Sequence, residues 1–253
     1  MDVTKELEDV FFKDNDFVEQ ADAEAFLHKS LDILRAYAAI EGAIVVLSDL
    51  IHYKSYLCIG CLGSRFGLEP NIHAISEIDS IWEEVVFNKI QADDLFKRHI
   101  LELKFYHFLK QLPADERLKY CTDSRIRIRT ADDSYQYINH RTLYLDSDLL
   151  FSVCIYRATI NQTETVEING CIINKETGVL VSDSEYGACE NILSNREREI
   201  LSHIQRGHLS KEIAVTLAIS KNTVDRHRQN ILKKLGVDNS YEALKIAQAM
   251  HLL

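Results

Sequence analysis

The sequence predicts two domains of different class: an α+β domain built on an antiparallel sheet with helices, then a small all-α domain of four helices. Three observations predict this. The hydrophobic period changes from helical to two at Tyr120 and holds for three runs. Everything beyond residue 192 reads as short capped helices. Charge is also divided. Residues 191–253 carry ten Lys or Arg against six Asp or Glu, net +4, which leaves 19 of the 29 basic and 33 of the 39 acidic residues upstream, net −14. A chain of 253 residues holds one large domain or two ordinary ones.

The first forty residues form a helical segment. AEAFLHKSLDILRAYAAI places Phe26, Leu27, Leu31, Leu34 and Ala38 at helical spacing, with no Gly or Pro. Residues 41–181 then read as the α+β domain. GAIVVLSDLIHYKSYLCIG, between Gly42 and Gly60, reads as two strands with a bend near Asp49–Tyr53. From Ile75 to Leu112 the period is helical. Asp93 or Asp94 is the expected N-cap of the longer helix, and Pro113 stops it.

SRIRIRT, YQYINHRTLYL and LLFSVCIYRATI alternate with period two and are joined by the polar turns TADDS and DSD, an antiparallel meander. TVEINGCIIN and GVLVSD are expected to add a further pair around Lys175–Gly178. Helices are expected on one side of this sheet. SDSEYGACEN opens a linker, residues 182–192, with no period.

Residues 193–253 are punctuated by caps. Ser194 with Glu197 forms a capping box, and Gly207 ends that helix. Ser210 caps KEIAVTLA, which turns Ile213, Ala214 and Leu217 inward. Ser220 caps a third helix that stops at Gly236, and Ser240 caps a fourth. Two short helices joined by a tight turn make a helix-turn-helix, whose second helix fits a DNA major groove.

On that helix Val224, His227, Ile231 and Leu235 share the inward face. Asn222, Asp225, Arg226, Gln229 and Lys233 share the other. Arg, Gln and Asp are the groups that bond guanine, adenine and cytosine edges. Lys221, Arg228 and Lys234 flank them and suit phosphates. SKNTVDRHRQNILKKLG holds five basic residues against one Asp, unlike the rest of an acidic chain. A charged face alone is usually only a solvated face, but here the caps and the turn length agree with the DNA-reading geometry.

LSNREREILSHIQRGHLSKEIAVTLAISKNTVDRHRQNILKKLGV resembles the LuxR-type helix-turn-helix of the FixJ/NarL class of bacterial transcription factors. The resemblance covers about a quarter of the chain. It implies double-stranded DNA as partner, a homodimer, and a fourth helix in the dimer contact. Carried over by position, it puts Asp225, Arg226 and Gln229 at the bases and Lys221, Thr223, Arg228 and Lys233 near the backbone. Asp225 departs from the basic residue often found there. It reads a cytosine or, the reading we favour, pairs with Arg228 or Arg226, because a carboxylate near phosphates is costly unless paired.

The α+β part resembles a PAS domain. IQADDLFKRHI is similar to an HPDDL helix start, and SRIRIRTADDSYQYINHRTLYL to an R.R..DG.Y.W hairpin, with Arg127, Arg129, Asp133, Tyr135 and Ile138 in place. Gln91-Ala92 stands where His-Pro is expected, and Ser134 where the turn Gly is expected. The resemblance implies sensing of a small-molecule signal, or dimerisation, without naming a ligand. The cofactor stays unknown and no metal is expected. His73 and His99 are read as surface or satisfied histidines rather than haem ligands.

Two alternatives are carried forward. A phospho-regulated receiver would use Asp49, at the end of VVLSDL, with Glu8, Asp9 and Lys104 nearby in kind. No apolar strand precedes Glu8, however, and no βα alternation follows Asp49. A thiol redox sensor would use Cys58 and Cys61. In a strand those two point to opposite faces, so buried apolar cysteines are the simpler reading.

The six cysteines, at 58, 61, 121, 154, 171 and 189, follow no disulfide spacing. No apolar run approaches the roughly 20 residues of a membrane span, and the acidic N-terminus lacks a secretory pattern. The expectation is a cytoplasmic, non-catalytic DNA-binding regulator.

Overall fold

A computed structural model of the chain describes residues 20–160, 162–163, 170–182, 193–235, 237, 239–249 and 253. Of residues 20–23, 233 and 249 only the backbone is described. Several sequence expectations therefore lie outside the described residues: the first nineteen residues, nearly all of the linker, the first half of the last predicted strand pair, the stop at Gly236 and the end of the last helix. The chain divides into two compact units. One takes in residues 15–105 and 112–181, the other residues 182–253 with residues 106–111.

The larger unit opens with α1 (Gln20–Glu41), which ends as Gly42 takes a φ of 64°. An added Cβ there would lie 2.5 Å from the Cys61 sulfur, so both backbone and space require glycine. Next come β1 (Ile44–Asp49) and β2 (Lys54–Ile59), paired antiparallel from Ile44↔Ile59 to Asp49↔Lys54. The bend between them falls where expected, with Tyr53 at a φ of 58°.

The region expected to be uniformly helical is more broken. After a short α2 (Leu62–Arg65), it holds β3 (Ser76–Ile78), α3 (Glu84–Phe87) and the long α4 (Ala92–Gln111). Ser76–Ile78 is a strand because it pairs with Ser55–Leu57 of β2, a long-range contact that outweighs local helical spacing. The cap of α4 is neither Asp93 nor Asp94 but Gln91, whose Oε1 accepts from the Asp93 and Asp94 amides at 2.7 and 3.2 Å. After α5 (Ala114–Arg117) come β4 (Tyr120–Arg129), β5 (Tyr135–Tyr144) and β6 (Phe151–Ala158), the expected meander. Of the last expected pair, the described residues form β7 (Cys171–Asn174), which adds to β4, and Leu180 makes a single bridge to Ile173.

Among the described residues seven strands run in the order β3-β2-β1-β6-β5-β4-β7, all antiparallel. Helices cover both faces of the sheet rather than one. Leu27, Leu31, Leu34 and Ala38 of α1 pack on Val45, Leu47, Cys58, Val153 and Ile155. Arg98 and Glu102 of α4 reach the alternate residues His140, Thr142 and Cys154 on the other face. Every residue of β1 is buried, which a sheet covered on one side does not allow. Phe26 lies at the edge of α1, 37% exposed, with its ring 5.4 Å from that of Phe151.

The smaller unit contains α6 (Asn195–Gln205), α7 (Ser210–Thr216), α8 (Lys221–Leu235) and α9 (Ser240–Ala249). Its core is Ile200, Leu201, Ile213, Val224, Ile231, Leu235, Ala243, Ile246 and Ala247. α8 packs against the other three helices, as its Val224–Ile231–Leu235 stripe requires.

Candidate nucleic-acid interface

Helix α8 is the centre of the basic unit. Ser220 caps it, accepting from the Thr223 amide at 3.0 Å. The turn before it closes as Ala218 takes a φ of 52° and the Ile219 amide reaches the Ala214 carbonyl at 3.0 Å. α7 and α8 are thus joined by four residues, the short connection a helix-turn-helix needs. α6 is set by the Ser194–Glu197 capping box, in which each residue bonds the backbone of the other.

Asn222, Arg226 and Gln229 recur at four- and three-residue spacing, and all three are exposed. Thr223 is exposed beside the cap, its hydroxyl 2.8 Å from that of Ser220. The side chain of Lys233 lies outside the described residues. Asp225 is half-buried, and its partner is neither Arg226 nor Arg228: Lys221 donates to it at 2.6 Å. Four residues along a helix bring these two ends together, whereas the Arg228 guanidinium spends its hydrogen bonds on Ser210 and Ser240 and acts on Asp225 only through its charge. The Lys221 ammonium, helped by the Ser210 hydroxyl and by Arg228, holds the Asp225 carboxyl below the usual carboxylate range.

Arg228 is half-buried. Its Nη1 donates to Ser210 Oγ at 3.2 Å and its Nη2 to Ser240 Oγ at 3.0 Å. Both serines were expected as N-caps, and both sit one residue inside their helices. α7 is instead capped at Leu209, whose amide donates to Glu212 at 2.7 Å, and α9 at Asn239, whose side-chain oxygen accepts from the Glu242 amide at 3.0 Å. The displaced hydroxyls receive Arg228. Lys234, expected to suit phosphates, donates to buried Glu197 at 2.7 Å. Burial works to raise Glu197, but Lys234 and Ser194 outweigh it and keep the carboxyl low.

Residues 191–247 match the family model described as bacterial regulatory proteins, luxR family. The chain is 35% identical over 116 residues to the uncharacterized response regulatory protein YgeK of Escherichia coli, covering 42% of this chain and 79% of that one.

The chain belongs to the luxR family of bacterial regulatory proteins.

It is a DNA-binding transcription regulator, and its α6–α9 unit is the luxR helix-turn-helix. The transcriptional regulatory protein UhpA of Salmonella typhimurium is 35% identical over 83 residues, covering 33% of this chain but only 40% of UhpA, well under two thirds of its length. Among solved structures, the VqmA–ligand–DNA complex of Vibrio cholerae matches 86% of this chain and 87% of that one at 11% identity, with a TM-score of 0.31.

The luxR unit accounts for one part of the chain, and the other candidate residues sit in the sheet domain. Asp49 is fully buried at the end of β1. It accepts from the Ile51 and His52 amides at 2.9 and 3.1 Å and faces His52 Nδ1 at 2.7 Å, so it caps the turn before Tyr53. With the sheet antiparallel throughout, this is not the phosphoacceptor of a doubly wound receiver. Cys58 is buried against α1, and burial pushes its thiol up, away from the reactive thiolate. Cys61 is exposed, not buried as expected, because β2 ends at Ile59 and Cys61 opens the turn into α2. His73 is on the surface. His99 is buried between the rings of Trp82 and Phe87, with its Nε2 unpartnered.

Beside His99 lies a charged cluster that no sequence motif announced. Arg98 is 2% exposed. Its Nη2 donates to Glu83 at 2.8 Å and reaches Glu102 at 2.9 Å, and its Nε donates to His140 Nε2 at 3.2 Å. Tyr156 donates to Glu83 at 2.6 Å, and Thr142 to Glu102 at 3.1 Å. Burial raises the Glu102 carboxyl despite Arg98, and burial with Arg98 drives His140 far below its usual range. The donor atoms of Glu102, His140 and Cys154 lie within 4.8 Å of one another, metal-ligand chemistry by type. Arg98 already fills the cation's place among them, 3.2 Å from both His140 and Cys154. A metal there would have to displace a guanidinium. The one local hint in the sequence was Arg98 and Glu102 at i, i+4 on α4; their burial comes from the sheet.

Proposed function

We propose that residues 41–181 form a PAS-like domain that senses a small-molecule signal or dimerises, and that this state governs how two luxR units meet duplex DNA. Asn222, Arg226 and Gln229 of α8 read base edges in the major groove. Lys221, Thr223, Arg228 and Lys233 hold the phosphates, and Asp225 positions Lys221 among them. Two copies engage half-sites about one helical turn apart. The protein acts in the cytoplasm and carries out no catalysis.

The observation that carries the groove assignment is the exposed, evenly spaced row Asn222–Arg226–Gln229 on a helix whose opposite side is core. Two features support the PAS-like reading. The order of two strands, helices and three antiparallel strands is the one the resemblance implies, and the two stretches that carry the resemblance meet through Asp94 and Arg127. Selection of bound duplexes from a random pool, followed by gel-shift titration, tests the groove reading. The expected result is an inverted repeat bound as a two-copy complex at least a thousandfold more tightly than random duplex. Equal affinity for every duplex would overturn the assignment of base contacts.

A further inference from the structure

Helix α1 is apolar on two sides. Leu27, Leu31, Leu34 and Ala38 face the sheet. On the outer side Phe26, Ile33 and Ile40 are 37%, 60% and 83% exposed. They are seven residues apart, and the exposed Lys29 and Ala36 fall between them, giving a three-four alternation from 26 to 40. Single exposed apolar residues are ordinary on any surface. A heptad row is not, because its spacing suits the seam of one helix against another.

We propose that this seam pairs antiparallel with the same seam of a second copy of the chain. The inference rests on the two-copy reading above and names the surface that joins the copies. Lys29 decides the direction. In a parallel, in-register pair it would face Lys29 of the second copy inside the seam, where like charges repel. In an antiparallel pair that sets Ile33 against Ala36 of the second copy, Lys29 lies along Ile40 and its ammonium reaches exposed Glu41 of the second copy. The two-fold axis makes that contact twice.

Ala36 is small enough to receive Ile33. Asp32 and Arg35 satisfy each other on the flank at 3.0 Å, adding no net charge there. Phe26 sits at the outer edge, braced by Phe151 of its own sheet at a ring separation of 5.4 Å. From Lys29 to Ile40 the seam is only about 17 Å long, so the pair is weak and depends on concentration.

Sedimentation velocity on the full chain over a concentration series tests this, with circular dichroism as a check on folding. The wild type is expected to dimerise. Ile33→Asp, at an exposed position, should weaken dimerisation at least 100-fold with unchanged secondary structure. Lys29→Glu and Glu41→Lys should each weaken it about three- to tenfold, and the double variant should return to within about twofold of wild type. Wild-type dimerisation by Ile33→Asp overturns the seam while leaving the two-copy reading intact. A wild type that stays monomeric alone and on its selected duplex overturns both. Failure of the double variant to recover overturns the antiparallel register.

Discussion

Asp94 and Arg127 are joined twice over. The Arg127 guanidinium donates to Asp94 Oδ2 at 2.9 Å and to Oδ1 at 2.7 Å, and the Arg127 amide donates to Oδ2 at 2.8 Å. Asp94 is fully buried while Arg127 is partly exposed. A hydrogen bond to Asp94 is the main reason the Arg127 guanidinium is held even more firmly protonated than usual. The pair pins the first turn of α4 to β4, and Gln91 joins it at 3.3 Å while also capping the helix.

Removing one partner leaves the other's polar groups unpaired. Asp94→Ala is expected to destabilise the sheet domain by about 2–4 kcal/mol. Arg127→Lys, which keeps the charge but loses the two-pronged geometry, should cost about half as much. Urea unfolding measures both. A loss below about 0.5 kcal/mol for Asp94→Ala would show the link to be incidental.

Arg226 is expected to carry sequence discrimination. Arg226→Ala should cut the preference for the selected duplex over random duplex by about 1–3 kcal/mol and change the salt dependence little. If affinity for both duplexes falls alike, Arg226 contacts phosphate instead.

The Lys221–Asp225 pair lies at the surface, with Lys221 exposed and Asp225 half-buried, so its contribution to stability is small. Its effect on DNA should be larger. Asp225→Ala frees Lys221 and removes a carboxylate from the phosphate-facing side. Affinity for random duplex should rise several-fold, and the plot of log affinity against log salt should steepen by up to about one charge. Weaker binding by Asp225→Ala would point instead to a cytosine contact.

Arg228 ties Ser210 at the start of α7 to Ser240 at the start of α9. Arg228→Ala is therefore expected to lower the stability of the luxR unit by about 1–3 kcal/mol, as well as weakening DNA binding. Thermal melting without DNA separates the two effects. An unchanged melting temperature would leave Arg228 only its phosphate role.

His99 is held down to about 3, first by burial and then by the Arg98 charge. Its folded value lies below the ordinary 6.5, so only the unfolded chain takes up this proton between the two. Stability is complete above pH 6.5 and is lost as pH falls toward 3, at up to about 1.4 kcal/mol per pH unit. His140 acts in the same direction. His99→Leu should flatten the stability profile between pH 6.5 and 4.5, as read by urea unfolding at each pH. Parallel profiles for variant and wild type would mean His99 is protonated when folded.

Features that depend on a few neighbouring residues could be read along the chain. The Ser194–Glu197 box, the Ser220 cap, the Val224–Ile231–Leu235 stripe and the period-two meander all stand where local spacing put them, because caps and amphipathic faces are set within a turn or two of chain. The exposed positions Asn222, Arg226 and Gln229 were legible in that spacing, whereas the partners of Asp225, Arg228 and Lys234 were not. The remaining features depend on contacts between distant parts of the chain. The strand order, the cover on both faces of the sheet and the strand at Ser76–Ile78 follow from long-range pairings. So does the cluster around Arg98, where Tyr156 meets Glu83 across 73 residues. The Ser210 and Ser240 caps moved by one residue as Glu212 and Asn239 took the capping roles and Arg228 bridged the freed hydroxyls. A charged residue in an apolar helix looks the same on paper whether water or a buried partner faces it, and only the packed sheet settles which.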